Sequence, residues 1–248
     1  MTKPKPKILL LGGTGEGVAI NNRLFDQGFP LITSLAGVTK NPTALQGKIL
    51  ANGFQEVGGL SALLKEEGIK VVVDATHPFA VQMSDKAAEI CGSLGIPYLR
   101  YHRQPWEEVT GDRWITVSDV TEAAQVAAEY KRVFLTIGRK EVVTFEAVPA
   151  DFFLLRSVEE VPFNPLSAEV VHLRDRGPFE EMAEAELLSR YQIGVIVSKN
   201  SGGRATYGKI AAARDLGIPV IMIAPPVYSS QRPFTDFEAL FSYLNSLS

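Results

Sequence analysis

Short apolar segments of strand length alternate with longer helical patterns along almost the whole chain of 248 residues. "KILLLGG", "VVVDATHP" and "IGVIVSKNSGG" are typical of buried strands, whereas "GVAINNRLFDQG" and "ATYGKIAAARDLG" have the period of helices. Continuous apolar strands that alternate with helices indicate a parallel sheet covered on both faces. The pattern therefore predicts an α/β fold with doubly wound parallel sheets.

The number of candidate strands is about ten, which is many for a single sheet. The strand pattern also starts again at "VFLTIGRK". We therefore expect two Rossmann-like domains, residues 1–128 and 129–248, with a cleft between them. One large sheet is the alternative.

Composition narrows the classes of partner. The chain is 46% hydrophobic and 21% charged, with a formal net charge of −3, so it has no basic field of the kind that binds nucleic acid. Its longest apolar stretches are too short to span a bilayer, so no membrane partner is expected. A single cysteine, Cys91, and no signal peptide favour a reducing cytoplasm. The three histidines and one cysteine are scattered, so no metal site is predicted.

The glycine-rich stretch "GGTGEG" follows the first apolar strand and precedes a helix. Glycines permit a tight turn and a close approach of backbone to ligand, and a helix N-terminus offers N–H groups to a phosphate. The turn is predicted to bind a dinucleotide through Gly12, Gly13, Thr14, Gly15 and Glu16. The alternative is a strand–helix turn that binds nothing.

The end of the second strand, "TSLAGVTK", carries no Asp or Glu. An acid at this place usually binds the ribose hydroxyls of a dinucleotide. Its absence removes repulsion against a 2′-phosphate, which favours NADPH, with NADH as the alternative. The candidate cofactor-binding residues here are Ser34, Leu35, Ala36, Gly37 and Lys40.

The stretch "DATHPFA" lies at the carboxyl end of another apolar strand, the edge at which open parallel sheets bind ligands. Ala75, Thr76, His77 and Pro78 are therefore candidate cofactor-binding residues. His77 is a candidate proton donor, orienting group or hydrogen-bond partner of the cofactor. The alternative is a histidine that caps the following helix.

Cations cluster at strand ends in the second half. "SKNSGGRATYGK" combines a glycine turn with cations, which suits a phosphate or a carboxylate. Its candidate substrate-binding residues are Lys199, Asn200, Ser201, Gly202, Gly203, Thr206 and Lys209. Arg139, Arg174 and Arg176 are candidates for binding an acidic substrate through paired hydrogen bonds. The alternatives are a capped turn with solvated charges and ordinary surface ion pairs.

Eight stretches carry a resemblance to a known family: "ILLLGGTGEG", "SLAG", "DATHPFA", "GDRWI", "FLTIGR", "RGPF", "KNSGG" and "ATYGKIAAARDLGIPVIM". In order, and across nearly the whole chain, they resemble the precorrin-6A reductases of cobalamin (vitamin B12) biosynthesis, which include cobalt-precorrin-6A reductases. "DATHPFA" and "KNSGG" are the specific motifs.

This resemblance implies an oxidoreductase with two Rossmann-like domains and NADPH between them. Hydride would pass to one carbon–carbon double bond of precorrin-6A or cobalt-precorrin-6A, giving the corresponding precorrin-6B. The substrate would be a polycarboxylate tetrapyrrole, which accounts for the cations of the second half. A dedicated acid is not required, and the candidates are His77, Lys199 and Tyr207.

One position departs from the family pattern, because Val38 stands where "SLAGRT" has an arginine suited to a 2′-phosphate. Lys40 is the candidate substitute, and NADH remains the alternative cofactor.

Two other functions are alternatives to this reductase. Another NAD(P)-dependent reductase or epimerase is disfavoured because no Y-x-x-x-K pair is present. A non-catalytic redox sensor would not need the cations of residues 198–209. The oligomeric state is left open.

Overall fold

The computed structural model describes residues 4–35, 45–51, 53–54, 57–227 and 233–247. The chain divides into two compact units. Unit 1 comprises Met1–Arg103 and Pro226–Ser248, and unit 2 comprises Gln104–Pro225. Each unit is built on its own parallel sheet, so the predicted α/β fold with two parallel sheets is confirmed.

Within the described residues, unit 1 has five parallel strands: β1 (Ile8–Leu11), β2 (Leu31–Ser34), β3 (Lys48–Leu50), β4 (Val71–Asp74) and β5 (Tyr98–Arg100). Their order in the sheet is β3-β2-β1-β4-β5. The intervening helices are α1 (Gly15–Asp26), α2 (Leu60–Glu66) and α3 (Val81–Ser93).

Unit 2 has six parallel strands: β6 (Trp114–Val117), β7 (Arg132–Leu135), β8 (Phe152–Ser157), β9 (Glu169–Arg174), β10 (Val195–Lys199) and β11 (Val220–Ile223). Their order is β6-β11-β10-β7-β8-β9. The helices are α4 (Val120–Ala127), α5 (Glu181–Arg190) and α6 (Gly208–Asp215), and a short 3₁₀ turn covers Val142–Phe145. In the part of the chain that the structure describes, no helix has the length and apolar character needed to cross a membrane.

Both faces of the unit 1 sheet are buried, which explains the continuous apolar run of β1. Ile8 and Leu10 belong to one core cluster, which also contains residues of α1. Leu9 and Leu11 belong to a second cluster, to which α2 and α3 contribute. Successive residues of a strand point to opposite faces, so every position of β1 must be apolar.

The division of the chain differs from the boundary predicted between residues 128 and 129. β6 precedes that boundary but pairs with β11 in the unit 2 sheet. The last helix, α7 (Phe237–Ser246), packs its buried Leu240, Phe241 and Leu244 into the unit 1 core. The difference arises because strand pairing and helix packing join segments that are far apart in the sequence.

Each sheet contains one point at which successive strands depart in opposite directions. In unit 1, β2 and β4 flank β1, and in unit 2, β8 and β10 flank β7. Ligands of open parallel sheets bind outside the carboxyl ends of the strands at such a switch point. The turns that follow β1 and β4, and those that follow β7 and β10, are therefore the places to look for a site.

Candidate functional site

The turn after β1 is an open backbone cradle at the N-terminus of α1. Gly12 N–H donates to the Ser34 carbonyl at 2.9 Å. Gly13 has a φ of +125°, a conformation that only glycine adopts without strain. A Cβ added at Gly13 or at Gly15 would meet nothing within 4 Å, so space lies beside the backbone there. The predicted residues 12–16 therefore form a turn that a phosphate can approach.

Thr14 connects this turn to the one after β4. Its Oγ1 accepts from Gly17 N–H at 3.0 Å, which caps α1, and donates to the Ala75 carbonyl at 2.8 Å. Asp74, the last residue of β4, accepts from Thr76 N–H at 2.9 Å. Two of the predicted cofactor stretches are thus brought together at the switch point of unit 1.

His77 lies exposed in the same turn, directly before the buried Pro78. Its Nδ1 accepts from Phe79 N–H at 3.3 Å, and its carbonyl accepts from Ala80 N–H at 2.8 Å. α3 begins at Val81, after its N-cap residue Ala80, and no side chain caps it, so the contact of His77 with Phe79 is part of the turn and is not the helix cap of the alternative interpretation. Because Nδ1 accepts, the proton of the neutral ring belongs on Nε2, which can serve as a donor.

A buried polar network behind this turn was not predicted from the sequence. The Tyr98 hydroxyl donates to the Asp74 carboxylate, and Arg100 Nε lies 4.0 Å from the same carboxylate oxygen. Arg100 Nε also donates to His102 Nε2. The spacing of Tyr98, Arg100 and His102 was the available signal, since residues two apart along a strand share a face.

Burial determines the protonation of two members of this network. It lowers the pKa of His102 to about 4, and the positive charge of Arg100 adds to that effect. It also raises the pKa of the Tyr98 hydroxyl, to which the negative charge of Asp74 contributes. At neutral pH His102 is therefore a neutral acceptor and Tyr98 keeps the proton that it donates to Asp74.

Glu16, in the first turn of α1, binds a cation of its own unit. Arg103 Nη1 lies 3.1 and 2.9 Å from its two carboxylate oxygens. Both side chains are mostly buried, with exposed fractions of 17% and 23%. A cavity of about 10 Å³ lies among Thr14, Thr76 and Arg103, a volume suited to a single water molecule. The ion pair thus fixes the first turn of α1 beside the candidate site.

The end of β2 closes the other side of the glycine turn. Ser34 and Leu35 are buried, and Leu35 N–H donates to the Leu50 carbonyl at 3.0 Å. A Cβ on Gly12 would lie 3.2 Å from Leu35 Cδ2 and 3.7 Å from the Ser34 carbonyl oxygen, so the end of β2 packs closely against the turn. The other predicted residues of this stretch, Ala36, Gly37 and Lys40, lie outside the described residues. Their role stays a prediction.

In unit 2, the loop after β10 folds around Trp106. Asn200 Oδ1 accepts from Trp106 N–H at 2.8 Å, and its Nδ2 donates to the Trp106 carbonyl at 2.9 Å. Trp106 Nε1 donates to the Gly203 carbonyl at 2.9 Å. The buried Lys209 donates to the Thr206 carbonyl at 2.8 Å, with Nζ 5.1 Å from the Trp106 ring centre. The contacts of the candidates Asn200, Gly203, Thr206 and Lys209 therefore stabilise the loop itself.

Ser201 and Gly202, both buried, complete this loop. Ser201 N–H donates to the Lys199 carbonyl at 2.7 Å, and Gly202 has a φ of +65°. Tyr207, the candidate acid, has its hydroxyl oxygen bound by Arg214 Nη2 at 2.6 Å. Arg214 in turn donates through Nε to Asp112 at 2.8 Å. The Tyr207 hydroxyl is thus oriented by a cation within unit 2.

The remaining cations lie at other strand ends. Lys199 ends β10 and donates to the Glu141 carboxylate. Arg139, after β7, lies 3.3 Å from Glu159, and Arg174, which ends β9, lies 3.9 Å from Glu160. Arg176 is exposed just beyond. The surface ion pairs considered as the alternative are therefore present for Arg139 and Arg174.

Comparisons with known proteins cover both units. The model of the family described as "Precorrin-6x reductase CbiJ/CobK" matches residues 7–245. A precorrin-6A reductase of Sinorhizobium sp is 44% identical over 223 residues, 88% of this chain and 85% of the relative. A cobalt-precorrin-6A reductase of Priestia megaterium is 31% identical, over 93% and 95% of the two chains. A solved structure described as CobK precorrin-6A reductase has a TM-score of 0.88 and 38% identity, over 97% and 96%.

The neutral, buried His102 predicts a pH dependence of stability. Its pKa is about 4 in the fold, against 6.5 for the ordinary group, so between these values the unfolded chain binds more protons. The contribution is fully present above pH 6.5 and is lost as the pH falls towards 4. We expect a loss of about 1–3 kcal/mol in the free energy of unfolding.

Urea unfolding of the wild type and of His102→Gln across this pH range measures the effect. The variant should lose less stability on acidification than the wild type. His77→Gln is the matched control, because His77 is exposed, and it should keep the wild-type profile. Equal acid sensitivity of His102→Gln and the wild type would contradict the assignment.

Proposed function

This chain belongs to the Precorrin-6x reductase CbiJ/CobK family, and on that premise we propose how it acts as a reductase of precorrin-6A or cobalt-precorrin-6A. The family predicted from the sequence motifs is confirmed by a match over residues 7–245. Unit 1 binds the nicotinamide cofactor in this proposal, and unit 2 binds the carboxylates of the macrocycle.

The observation that carries the cofactor assignment is the pair of turns joined by Thr14 at the switch point of unit 1. The residues present fit a dinucleotide. Gly13 and Gly15 leave open space beside the backbone, and the twelve residues of α1 direct N–H groups and the positive end of a helix dipole to that space. These features support binding of the pyrophosphate at residues 12–16.

NADPH is the proposed cofactor, with NADH as the alternative. β2 ends in Ser34 and is followed by Leu35, so the described part of this strand end lacks the carboxylate that would repel a 2′-phosphate. Lys40 is the proposed cation for that phosphate.

A cytoplasmic setting is proposed as well, and it agrees with the free, buried thiol of Cys91, whose pKa burial raises to about 11.

A bound nicotinamide supplies a hydride to one carbon–carbon double bond of the macrocycle, and a proton adds to the neighbouring carbon. The protein contributes mainly orientation and charge. His77 is a candidate proton donor through Nε2, and the Lys199 ammonium is another. The Tyr207 hydroxyl is the third, held by Arg214. Water is the source of the proton if none of these acts.

The substrate assignment rests on the cations of unit 2. Lys199 and Arg174 are the last residues of β10 and β9, and Arg139 and Arg176 follow the ends of β7 and β9. A polycarboxylate tetrapyrrole offers several negative groups to this edge of the sheet. Arginine binds a carboxylate through two parallel hydrogen bonds, which suits it to this task.

The deciding experiment titrates the protein with NADPH and NADH and follows nicotinamide absorbance. We expect NADPH to bind more tightly and to be oxidised when precorrin-6A or cobalt-precorrin-6A is added. The comparison of the two macrocycles also determines which is the better substrate. Tight cofactor binding without oxidation by either macrocycle would contradict the proposed reduction.

Gly13→Ala tests the cofactor turn. The strained φ imposed on alanine should raise the Kd for NADPH roughly tenfold. Gly92→Ala in α3 is the matched control, because its added Cβ meets nothing within 4 Å and no unusual φ is required there. The control should bind NADPH like the wild type. An unchanged Kd for Gly13→Ala would remove the turn from the cofactor site.

Lys199→Ala tests the substrate assignment of unit 2. Loss of the ammonium should raise the KM for the macrocycle about tenfold, since charge-assisted bonds are the stronger ones, with little change in the Kd for NADPH. Lys131→Ala removes an exposed lysine near the opposite edge of the same sheet and serves as the control. Weaker NADPH binding with an unchanged KM for the macrocycle would reassign the loop to the cofactor.

A further inference from the structure

Glu141 and Lys199 form an ion pair at the switch point of unit 2. Lys199 ends β10, Glu141 lies in the turn after β7, and the two strands are neighbours in the sheet. Lys199 Nζ donates to Glu141 Oε1. The lysine side chain is only 11% exposed, whereas the glutamate side chain is 33% exposed. The carboxylate is therefore the partner that already contacts water.

The missing side chain of Gly138 makes room for this pair. A Cβ at that position would lie 2.6 Å from Glu141 Oε2 and 3.8 Å from Lys199 Nζ. Glu141 N–H donates to the Gly138 carbonyl at 2.9 Å, which turns the chain so that the carboxylate lies over the glycine. The glutamate thus reaches the ammonium along a path that residue 138 leaves open.

We propose that the Glu141 carboxylate binds the Lys199 ammonium in the substrate-free protein, and that a carboxylate of the macrocycle displaces it from the ammonium. This inference rests on the proposed function, which assigns Lys199 to the substrate. The exchange keeps one carboxylate on the ammonium throughout, so Lys199 keeps an anionic partner. The displaced Glu141 moves from a partly hydrated position into water. Glu141 is then a specificity-determining residue of the reductase.

The expected selectivity between ligands follows from the covalent connection of Glu141 to Lys199 through the chain. Glu141 belongs to the same chain as Lys199, so its effective concentration at the ammonium is high. A ligand with a single carboxylate competes poorly against it. A ligand with several carboxylates, bound at the same time by other cations of unit 2, presents its own carboxylate at a comparable effective concentration. The pair therefore selects polycarboxylates over single acids.

Glu141→Gln tests the proposal, because it keeps the shape and removes the charge. The KM for the macrocycle should fall about two- to fivefold, the range expected for one partly exposed ion pair, with kcat within about twofold and the KM for NADPH unchanged. Asp151→Asn is the matched control. It removes the exposed Lys131–Asp151 pair near the amino-terminal edge of the same sheet and should leave all three constants unchanged.

Gly138→Ala provides a second variant that keeps every charge. Its φ lies outside the left-handed region, so alanine fits the backbone, and the new methyl group displaces the end of the flexible Glu141 side chain. The KM for the macrocycle should again fall. An unchanged or higher KM in both variants would overturn the proposal and make Glu141 a residue that positions Lys199.

Binding of uroporphyrin III, an octacarboxylate tetrapyrrole, separates this inference from the proposed function. Its fluorescence on titration with wild-type and Glu141→Gln protein reports affinity without turnover. Tighter binding by the variant, with no reduction of either precorrin by the wild type, would support the exchange while the proposed reduction fails. Normal reduction by the wild type, with equal affinity and equal KM in the variant, would overturn the exchange alone.

Discussion

The hydroxyl of Thr14 makes the contact on which the candidate cofactor site depends. It accepts from Gly17 N–H and donates to the Ala75 carbonyl, so one oxygen both begins α1 and joins the turns after β1 and β4. Ala75 N–H also donates to the Leu11 carbonyl at 2.8 Å, so the two turns form one surface, and β1 and β4, packed from both faces, fix where that surface lies.

Buried charge pairs support the strand ends in both units. Asp74 and Arg100 do so in unit 1, and Arg156 of β8 binds Glu184 of α5 in unit 2 at 2.9 and 2.6 Å. The Arg156 guanidinium also lies 4.0 Å from the ring centre of Phe179. Such a pair is costly to bury, and removing one partner costs more because the other charge is left without compensation. Substitutions at these positions would therefore damage the fold before they revealed anything about catalysis.

The sheets were predictable because a continuous apolar strand is recognised from its own residues, without knowledge of its distant contacts. The turns after β1 and β4 were predictable for the same reason, since their place follows from the strand that each one ends. The boundary between the units was not, because β6 pairs with β11 about a hundred residues later in the chain. The sequence also does not show in which direction a side chain of a loop points. "KNSGG" indicates a polar loop, but only the fold shows that Asn200 turns towards the backbone of Trp106.

The path of the chain has a consequence for the order of folding. All strands of unit 2 lie within one continuous stretch, Gln104–Pro225, whereas the core of unit 1 also needs Leu240, Phe241 and Leu244 of α7. Domains generally fold as units while the ribosome extends the chain from its N-terminus. Unit 2 can therefore complete its core while unit 1 still waits for its last helix. The strands of unit 1 emerge from the ribosome first, yet unit 1 is the later of the two units to complete its core.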